Sequence, residues 1–560
     1  MKCTLLMIKA GIFLLLIANL TAFAQSTDIA SSFKNPPPAA WPRAWWHWTN
    51  GNVSQDGITK DMEWAKRVGI KGLQMGDVAS GGGQAVANKV NFGTPEWLDA
   101  LKHAATEAKR LDLEFTMFTS AGWSLTGGPW VKPEQAMKKV VWSETRVDAS
   151  KGGAIKLKQP PASEGAGPLL EGGTPRPGFY KDVAVLAFKT PEADMAGDGA
   201  IPTVTTSKGV VTDAATLFDQ DISTGITVPL AADKTAWIQL AYNTPFHARA
   251  ITLGARGRGI AIGKLQVSND GTHYKTIITT PGKLGYRPGV IRTYAFPEVT
   301  AKYFKLVFTN AAPQPGEIIN EVTTLPIGDY PMTEITLHSG ARIDRWQEKA
   351  NFNQLFEYSN TDTPTEPENA VIKKDDIIDL TSKMAADGTL NWTAPSGNWT
   401  IMRFGYALTG AKNRPAVPAG SGYEADKMSV SAVTSYMDNY TAPLKKVMGP
   451  LYGKSLQYMV MDSWEAGITN WTDLMPQEFM KRRGYSLLNY MPTLAGYVVD
   501  NPNTSERFLW DFRRTIVDLI AENHYGTLTN YLAKDGIGTY SEAGGVSLES
   551  TEDALLKKSL

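Results

Sequence analysis

Apolar and polar positions in the first 140 residues follow two periods, and together they predict a βαβ series. Continuous apolar or aromatic runs are typical of buried strands, and apolar residues recurring every three or four positions are typical of amphipathic helices. Strands are predicted over 40–48, 70–75 and 113–118, and helices over 54–69 and 95–111. This order requires a mostly parallel sheet with right-handed crossovers. We therefore expect 36–140 to begin a (β/α)8 TIM-like barrel.

Between about 141 and 405 the pattern changes to short alternating strands separated by Gly, Pro and Asn. Such spacing is typical of β-sandwich modules, so a β-sandwich insertion is predicted to interrupt the barrel. Its part at about 205–325 resembles a discoidin-like jelly roll, a module that commonly binds carbohydrate. A sandwich that binds nothing is the equal alternative, because a fold does not fix a function.

The α/β pattern returns after 406, with predicted strands at 456–461 and 536–540. Helices are predicted over 426–448, 476–484 and 505–532. The segment 406–560 is thus interpreted as the second part of the barrel. Only five or six barrel strands can be counted, so we expect an incomplete barrel and a truncated chain.

The first 24 residues have the pattern of a secretory signal peptide. Lys2 and Lys9 supply a short basic region before an apolar stretch over 11–20, and Ala-Phe-Ala at 22–24 fits a small-x-small cleavage site. The stretch is too short for a transmembrane helix. Cys3, the one cysteine, lies inside the predicted signal peptide, which excludes disulfides and cysteine nucleophiles from the mature chain. A bacterial protein of the periplasm or cell surface is expected.

Composition narrows the classes of ligand. Lys plus Arg equals Asp plus Glu at 56 each, so no net field favours nucleic acid or an anionic membrane. The chain has 16 Trp in 560 residues, and indole rings are costly unless they pack in a core or stack on a ligand. Sugar-binding proteins use Trp in the second way.

Barrel active sites lie at the carboxyl ends of the strands, which selects the polar and aromatic residues there as candidates. For each aromatic candidate the alternative is a structural position in the core. For Asp77 the alternative is that the glycine run after it only forms a mobile loop. The predicted substrate-binding residues are His47, Trp48, Asn50, Asp77, Trp123 and Asp462.

Two carboxylates follow two of the predicted strands, Glu465 after 456–461 and Glu542 after 536–540. Glycoside hydrolysis needs such a pair, because one carboxyl protonates the leaving oxygen and the other attacks the sugar or activates water. Either group has the alternative role of sugar hydroxyl acceptor, cation ligand or structural ion pair.

Several motifs in chain order resemble glycoside hydrolase family 106, a family of α-L-rhamnosidases, and the match runs from 36 to about 545. They are WWHWTNGN at 45–52, GIKGLQ at 69–74, FGTPEW at 92–97, SAGWS at 120–124, GGPW at 127–130 and DSWE at 462–465. The resemblance implies an enzyme that releases terminal α-L-rhamnose from a rhamnose-containing polysaccharide or glycoside with inversion, with calcium at its active site; the predicted signal peptide adds that this enzyme is exported.

By the same resemblance Glu465 matches the general base, and the general acid is either Glu542 or a residue beyond Leu560. Glu424, Asp426 and Lys427 resemble a further family segment, and we expect an ion network there. The remaining alternative from another class is a noncatalytic carbohydrate-binding protein on an incomplete barrel.

Overall fold

A computed structural model describes 29–37, 40–162, 179–232, 235–255, 263–280, 291–308, 330–353, 361–462, 464 and 466–541. The predicted signal peptide and both predicted catalytic residues, Glu465 and Glu542, lie outside these residues.

Strands and helices alternate at the two ends of the described chain, and strands dominate its middle. The strands are β1 Arg43–Thr49, β2 Gly72–Val78, β3 Glu114–Phe118, β4 Lys138–Asp148, β5 Ile155–Lys156, β6 Tyr180–Lys189, β7 Thr203–Thr206, β8 Gly209–Val210, β9 Ile226–Val228, β10 Ala236–Ala255, β11 Gly263–Ser268, β12 Lys275–Thr280, β13 Ile291–Phe308, β14 Tyr330–His338, β15 Ile378–Asp379, β16 Thr389–Leu390, β17 Asn398–Leu408, β18 Leu456–Met461 and β19 Gly538–Ser541. The α-helices are α1 Ile29–Lys34, α2 Gln55–Arg67, α3 Pro95–Leu111, α4 Glu192–Met195, α5 Trp346–Lys349, α6 Val430–Met448, α7 Met475–Arg483, α8 Pro502–Leu519 and α9 Thr527–Ala533.

The parallel sheet has five strands in the order β1-β2-β3-β18-β19, and every neighbouring pair is parallel. All five strands coincide with predicted ones, with boundaries shifted by at most a few residues. The predicted βαβ series is therefore confirmed, whereas closure of the sheet into a barrel stays a prediction.

Helices α2 and α3 cover one side of this sheet, and their limits follow from local signals. Ser54 accepts a hydrogen bond from the Gly57 backbone, and Thr94 accepts one from Trp97, so each helix begins at a side-chain cap. Asp112 ends α3 in the left-handed conformation, with φ of 51°. The buried faces of both helices join the main hydrophobic core. Within the described residues, no helix combines the length and the apolar character needed to cross a membrane.

The middle of the chain forms antiparallel sheets. The largest one has eight strands, with β12-β11-β13-β10-β14-β9 in order, β7 paired with β10 and β8 paired with β7, and it has a hydrophobic cluster of its own. A second sheet has the order β15-β6-β17-β4, and β16 and β5 form a two-stranded sheet. The two strands predicted at 236–242 and 248–255 are one strand, β10, because the register shift between Ala241 and Phe246 is absorbed as a bulge.

Two helix predictions are corrected. The helix predicted over 426–448 begins only at Val430, because Ser429 caps it. The helix predicted over 505–532 consists of α8, a π-helical segment Ile520–Gly526, and α9.

Candidate active site

The carboxyl ends of β1, β2, β3 and β18 meet at one edge of the parallel sheet. Successive residues of a strand point to opposite faces of a sheet, so the predicted site residues divide between two faces. One face lies under α2 and α3, and we call it the helix face. The opposite face carries His47, Gly76 and Phe118, and we call it the open face.

Contacts show that these three residues share the open face. A Cβ added at Gly76 would overlap the Phe118 ring and would lie 3.7 Å from Cδ2 of His47. The His47 ring lies between Trp45 and Trp123, with ring centroids 5.4 Å and 5.5 Å away. Trp45 is 55% exposed, which is high for an indole. The open face thus presents an aromatic row of Trp45, His47 and Trp123.

Burial lowers the pKa of His47, so its imidazole is neutral at pH 7. Its Nε2 is buried and has no hydrogen-bond partner among the residues that the structure describes. Buried ring nitrogens are usually hydrogen-bonded, so this atom is available to a ligand hydroxyl at the aromatic row.

Trp48 and Asp77 lie on the helix face, which does not fit their predicted contact with substrate. Trp48 is 2% exposed and belongs to the main core, and its same-face neighbour Trp46 donates to Asp61 of α2 at 2.9 Å. Asp77 is buried and accepts a hydrogen bond from Nε1 of Trp97 in α3 at 2.5 Å. Both residues hold the sheet to its helices, so the core alternative describes Trp48.

Asp77 also has a shifted titration. Burial raises its pKa to about 7, and the hydrogen bond from Trp97 opposes part of that rise. Its backbone carbonyl accepts from the Gly122 N–H at 2.6 Å, and the Trp123 N–H donates to the Arg414 carbonyl at 3.3 Å. Asp77 therefore links the end of β2 both to α3 and to the loop that carries Trp123.

Asn50 secures the loop that follows β2. Its side-chain amide donates to the Ser80 carbonyl, and its Oδ1 accepts from the Ser80 N–H at 3.2 Å. Its φ of 52° is in the left-handed region, which Asn tolerates better than most residues. The placement indicates a loop-supporting role at the site's edge.

Asp462 is buried directly after β18. It has the same parity as Val460, so the strand directs it toward the open face. The neighbouring Trp464 is buried too, and its Nε1 donates to the Gly467 carbonyl at 2.9 Å. Asp462 and Trp464 are therefore both buried beyond the carboxyl end of β18.

The ion network predicted at 424–427 is confirmed, and it extends to residues that the sequence did not indicate. Lys427 forms a fully buried ion pair with Glu424 at 2.5 Å and donates to Oγ1 of Thr126 at 2.7 Å. Thr126 also contacts Nε2 of His524 at 3.1 Å. Burial lowers the pKa of Lys427, and burial together with the Lys427 charge lowers that of His524. The cluster lies beneath the loop after β3.

A family model described as glycoside hydrolase family 106, alpha-L-rhamnosidase, matches residues 34–560. The chain belongs to glycoside hydrolase family 106. A solved rhamnosidase from Novosphingobium sp. PP1Y is 36% identical, with a TM-score of 0.82, and the match covers 94% of this chain and 48% of that one. The family assignment and this structure support a mixed α/β glycoside hydrolase fold.

A second relative carries a different activity in its name. A curated protein from Formosa agariphila, described as a candidate beta-glucuronidase, is 32% identical over 532 residues, which is 94% of this chain and 32% of that protein. The family 106 chain thus spans about half the length of the solved rhamnosidase and about a third of the Formosa protein.

The family resemblance implies calcium at the active site. Calcium takes six to eight oxygen ligands, usually including several carboxylates. In the part of the chain that the structure describes, no three His, Cys, Asp or Glu residues are grouped so that they could hold a metal ion. The described residues by themselves therefore supply no calcium site.

Proposed function

We propose that this family 106 chain acts in the release of terminal α-L-rhamnose from a glycoside or polysaccharide. The observation that carries the proposal is the aromatic row of Trp45, His47 and Trp123, which runs from β1 to the loop after β3 on the open face of the parallel sheet. Aromatic faces gain free energy by covering the apolar C–H groups of a sugar, and a 6-deoxy sugar adds a methyl group to that surface.

The polar groups around the row suit a neutral sugar. Neutral His47 can donate to one hydroxyl or accept from another, depending on its tautomer. The Asp462 carboxylate is an acceptor for a second hydroxyl. The two groups would orient the ring while Trp123 covers its apolar side.

For the chemical step we propose an inverting mechanism with two carboxyl groups, for which the family resemblance supplies Glu465 as general base and Glu542 as a candidate acid. Inversion requires the two groups to be roughly 6.5–9.5 Å apart, so that a water fits between the base and the anomeric carbon. The base removes a proton from this water as it attacks, and the acid protonates the departing oxygen.

The proposal is tested with Glu465→Gln and Glu542→Gln on two aryl α-L-rhamnosides, one with a good and one with a poor leaving group. Loss of a general base slows both substrates, because water must be activated in each case. Loss of a general acid spares the good leaving group, which needs no proton. NMR of the first-formed anomer reports inversion.

Glu96→Gln, an exposed site in the first turn of α3, is the matched control. We expect Glu465→Gln to abolish hydrolysis while sugar binding by calorimetry persists. Full turnover in Glu465→Gln would remove Glu465 from the mechanism. A wild-type chain that binds rhamnose without releasing it from either substrate would favour the carbohydrate-binding alternative.

We further propose that residues 1–24 direct export to the periplasm or cell surface, that calcium accompanies the active site, and that the eight-stranded sheet is a discoidin-like module. The pattern of residues 1–24, the family resemblance, and the separate hydrophobic cluster of that sheet support these points respectively. The mass of the secreted chain tests the first proposal. Rhamnoside hydrolysis before and after chelation, with calcium restored, tests the second.

A further inference from the structure

A cleft of about 580 Å³ lies on the first half of α8, away from the strand ends that form the candidate active site. We call it the aromatic cleft. Its walls include Tyr485 and Tyr490 on one side and Arg507, Phe508, Trp510 and Asp511 of α8 on the other. Its volume is in the range of small-molecule sites.

The inner rings of the aromatic cleft are fixed by ring contacts. Tyr490 stacks on Phe508 with centroids 5.3 Å apart and planes 18° apart. Tyr485 meets Tyr490 edge-on at 5.5 Å. Trp510, in contrast, is 53% exposed at the rim. A rigid aromatic floor beside an exposed indole provides surface that a ligand with apolar C–H faces can cover.

The polar groups of the cleft are opposite in charge and are not paired with each other. Arg507 and Asp511 are four residues apart on α8, a spacing at which ion pairs commonly form. Within the described part of the chain, Arg507 makes no ion pair, and one Asp511 oxygen accepts from the Tyr485 hydroxyl at 2.9 Å. The Arg507 guanidinium, a hydrogen-bond donor, and the Asp511 carboxylate, an acceptor, thus both line the aromatic cleft.

We propose that the aromatic cleft is a second sugar-binding site that takes a neutral pyranose unit of the polysaccharide. Vicinal hydroxyls both accept and donate, so one can accept from the Arg507 guanidinium while its neighbour donates to the Asp511 carboxylate. The C–H face of the ring then lies on Trp510 and Tyr490. The cleft carries one positive and one negative group, so an anionic or cationic ligand gains no net attraction. The site holds whether or not the proposed hydrolysis does.

The test is affinity electrophoresis of the full chain in gels containing a branched galactan with terminal α-L-rhamnose. Trp510→Ala removes the exposed ring, and Asp511→Asn removes the acceptor charge while an amide oxygen still accepts from Tyr485. We expect each variant to weaken retardation by the polymer about five-fold or more, since stacking and charged hydrogen bonds both contribute to binding. Trp64→Ala, which removes an indole 51% exposed on α2, should leave it unchanged.

Unchanged retardation of Trp510→Ala, or an equal loss in Trp64→Ala, would overturn the proposal. Light scattering is run on the same samples, and a change of oligomeric state in Trp510→Ala without a change in polymer binding would assign the cleft to contact between copies instead. Circular dichroism shows whether each variant is folded. If Trp510→Ala does not fold, Asp511→Asn alone decides the test. Hydrolysis of an aryl rhamnoside by the wild-type chain is measured separately, so failure of the two proposals can be told apart.

Discussion

The two faces of the parallel sheet use the same residue types for different purposes. On the helix face, Trp48 and Asp77 are buried against α2 and α3. On the open face, Trp45 and Trp123 flank a half-buried His47. Trp45 and Trp48 are three positions apart, yet one is 55% exposed and the other 2%. Parity along the strand, rather than nearness to its carboxyl end, decides which residue is buried beneath the helices.

Polar groups on the two faces of the sheet also differ. Asp77 is held by Trp97 on the helix face, and burial changes its titration. On the open face, in contrast, the buried Nε2 of His47 has no hydrogen-bond partner among the described residues. A carboxylate at a strand end is therefore a site candidate only when its parity matches that of the ligand-binding face.

The largest expected effect is on the helix face. Trp48→Ala should lower the free energy of unfolding by about 3–5 kcal/mol, because it removes a fully buried aromatic side chain and leaves a cavity. Urea unfolding followed by circular dichroism measures this loss. Trp45→Ala, on the opposite parity, should change stability by about 0.5 kcal/mol or less. Equal losses in the two variants would contradict the division into two faces.

The next effect is the pH dependence contributed by Asp77. Its pKa is about 7 in the folded chain and about 3.9 when unfolded, so between these values the folded chain holds a proton that the unfolded chain has released. Stability from this group is fully present below pH 4 and is lost as pH rises to 7. Asp77→Asn has no such proton. As pH rises through this window, the free energy of unfolding of Asp77→Asn should therefore increase relative to that of wild type, by at most about 1.4 kcal/mol per pH unit.

Urea unfolding at several pH values between 4 and 8 measures that difference. Buried Glu334 and Asp344 also have pKa values raised to about 7, so the slope of the wild-type chain alone does not isolate Asp77. The difference in pH dependence between wild type and Asp77→Asn isolates Asp77, because both chains retain Glu334 and Asp344. Parallel pH profiles for the two proteins would show that Asp77 is ionised in the folded chain.

Elements with strong local signals were predicted from sequence, and side-chain faces were not. Helix α3 was predicted with its observed limits, because Pro95 at its start and an amphipathic period ending at Leu111 are local features. The faces of β1 were not predictable, since Trp45-Trp46-His47-Trp48 is aromatic throughout and shows no alternation between apolar and polar positions. Only the packing of α2 and α3 decides which parity is buried.

Two further features that the sequence did not predict, the continuity of β10 and the π-helical turn, have similar physical causes. Asn243-Thr244-Pro245 has the composition of a turn, yet the partner strand β13 keeps β10 continuous through a bulge there. The π-helical turn that contains His524 keeps an apparently helical sequence pattern, so its buried contact with Thr126 had no signal in the sequence. In both cases long-range packing decides the local geometry.

The smallest expected effect is on ligand binding at the open face. Trp123→Ala should raise KM for an aryl α-L-rhamnoside about two- to thirteen-fold, since aromatic contacts contribute about 0.5–1.5 kcal/mol beyond buried area. Its effect on kcat should be smaller, because the ring touches the sugar and not the reacting bond. Trp64→Ala is the control, as an exposed indole outside both sites. If Trp123→Ala instead leaves KM unchanged and lowers only stability, the aromatic row is a packing feature, and the proposal that the open face binds the sugar is contradicted.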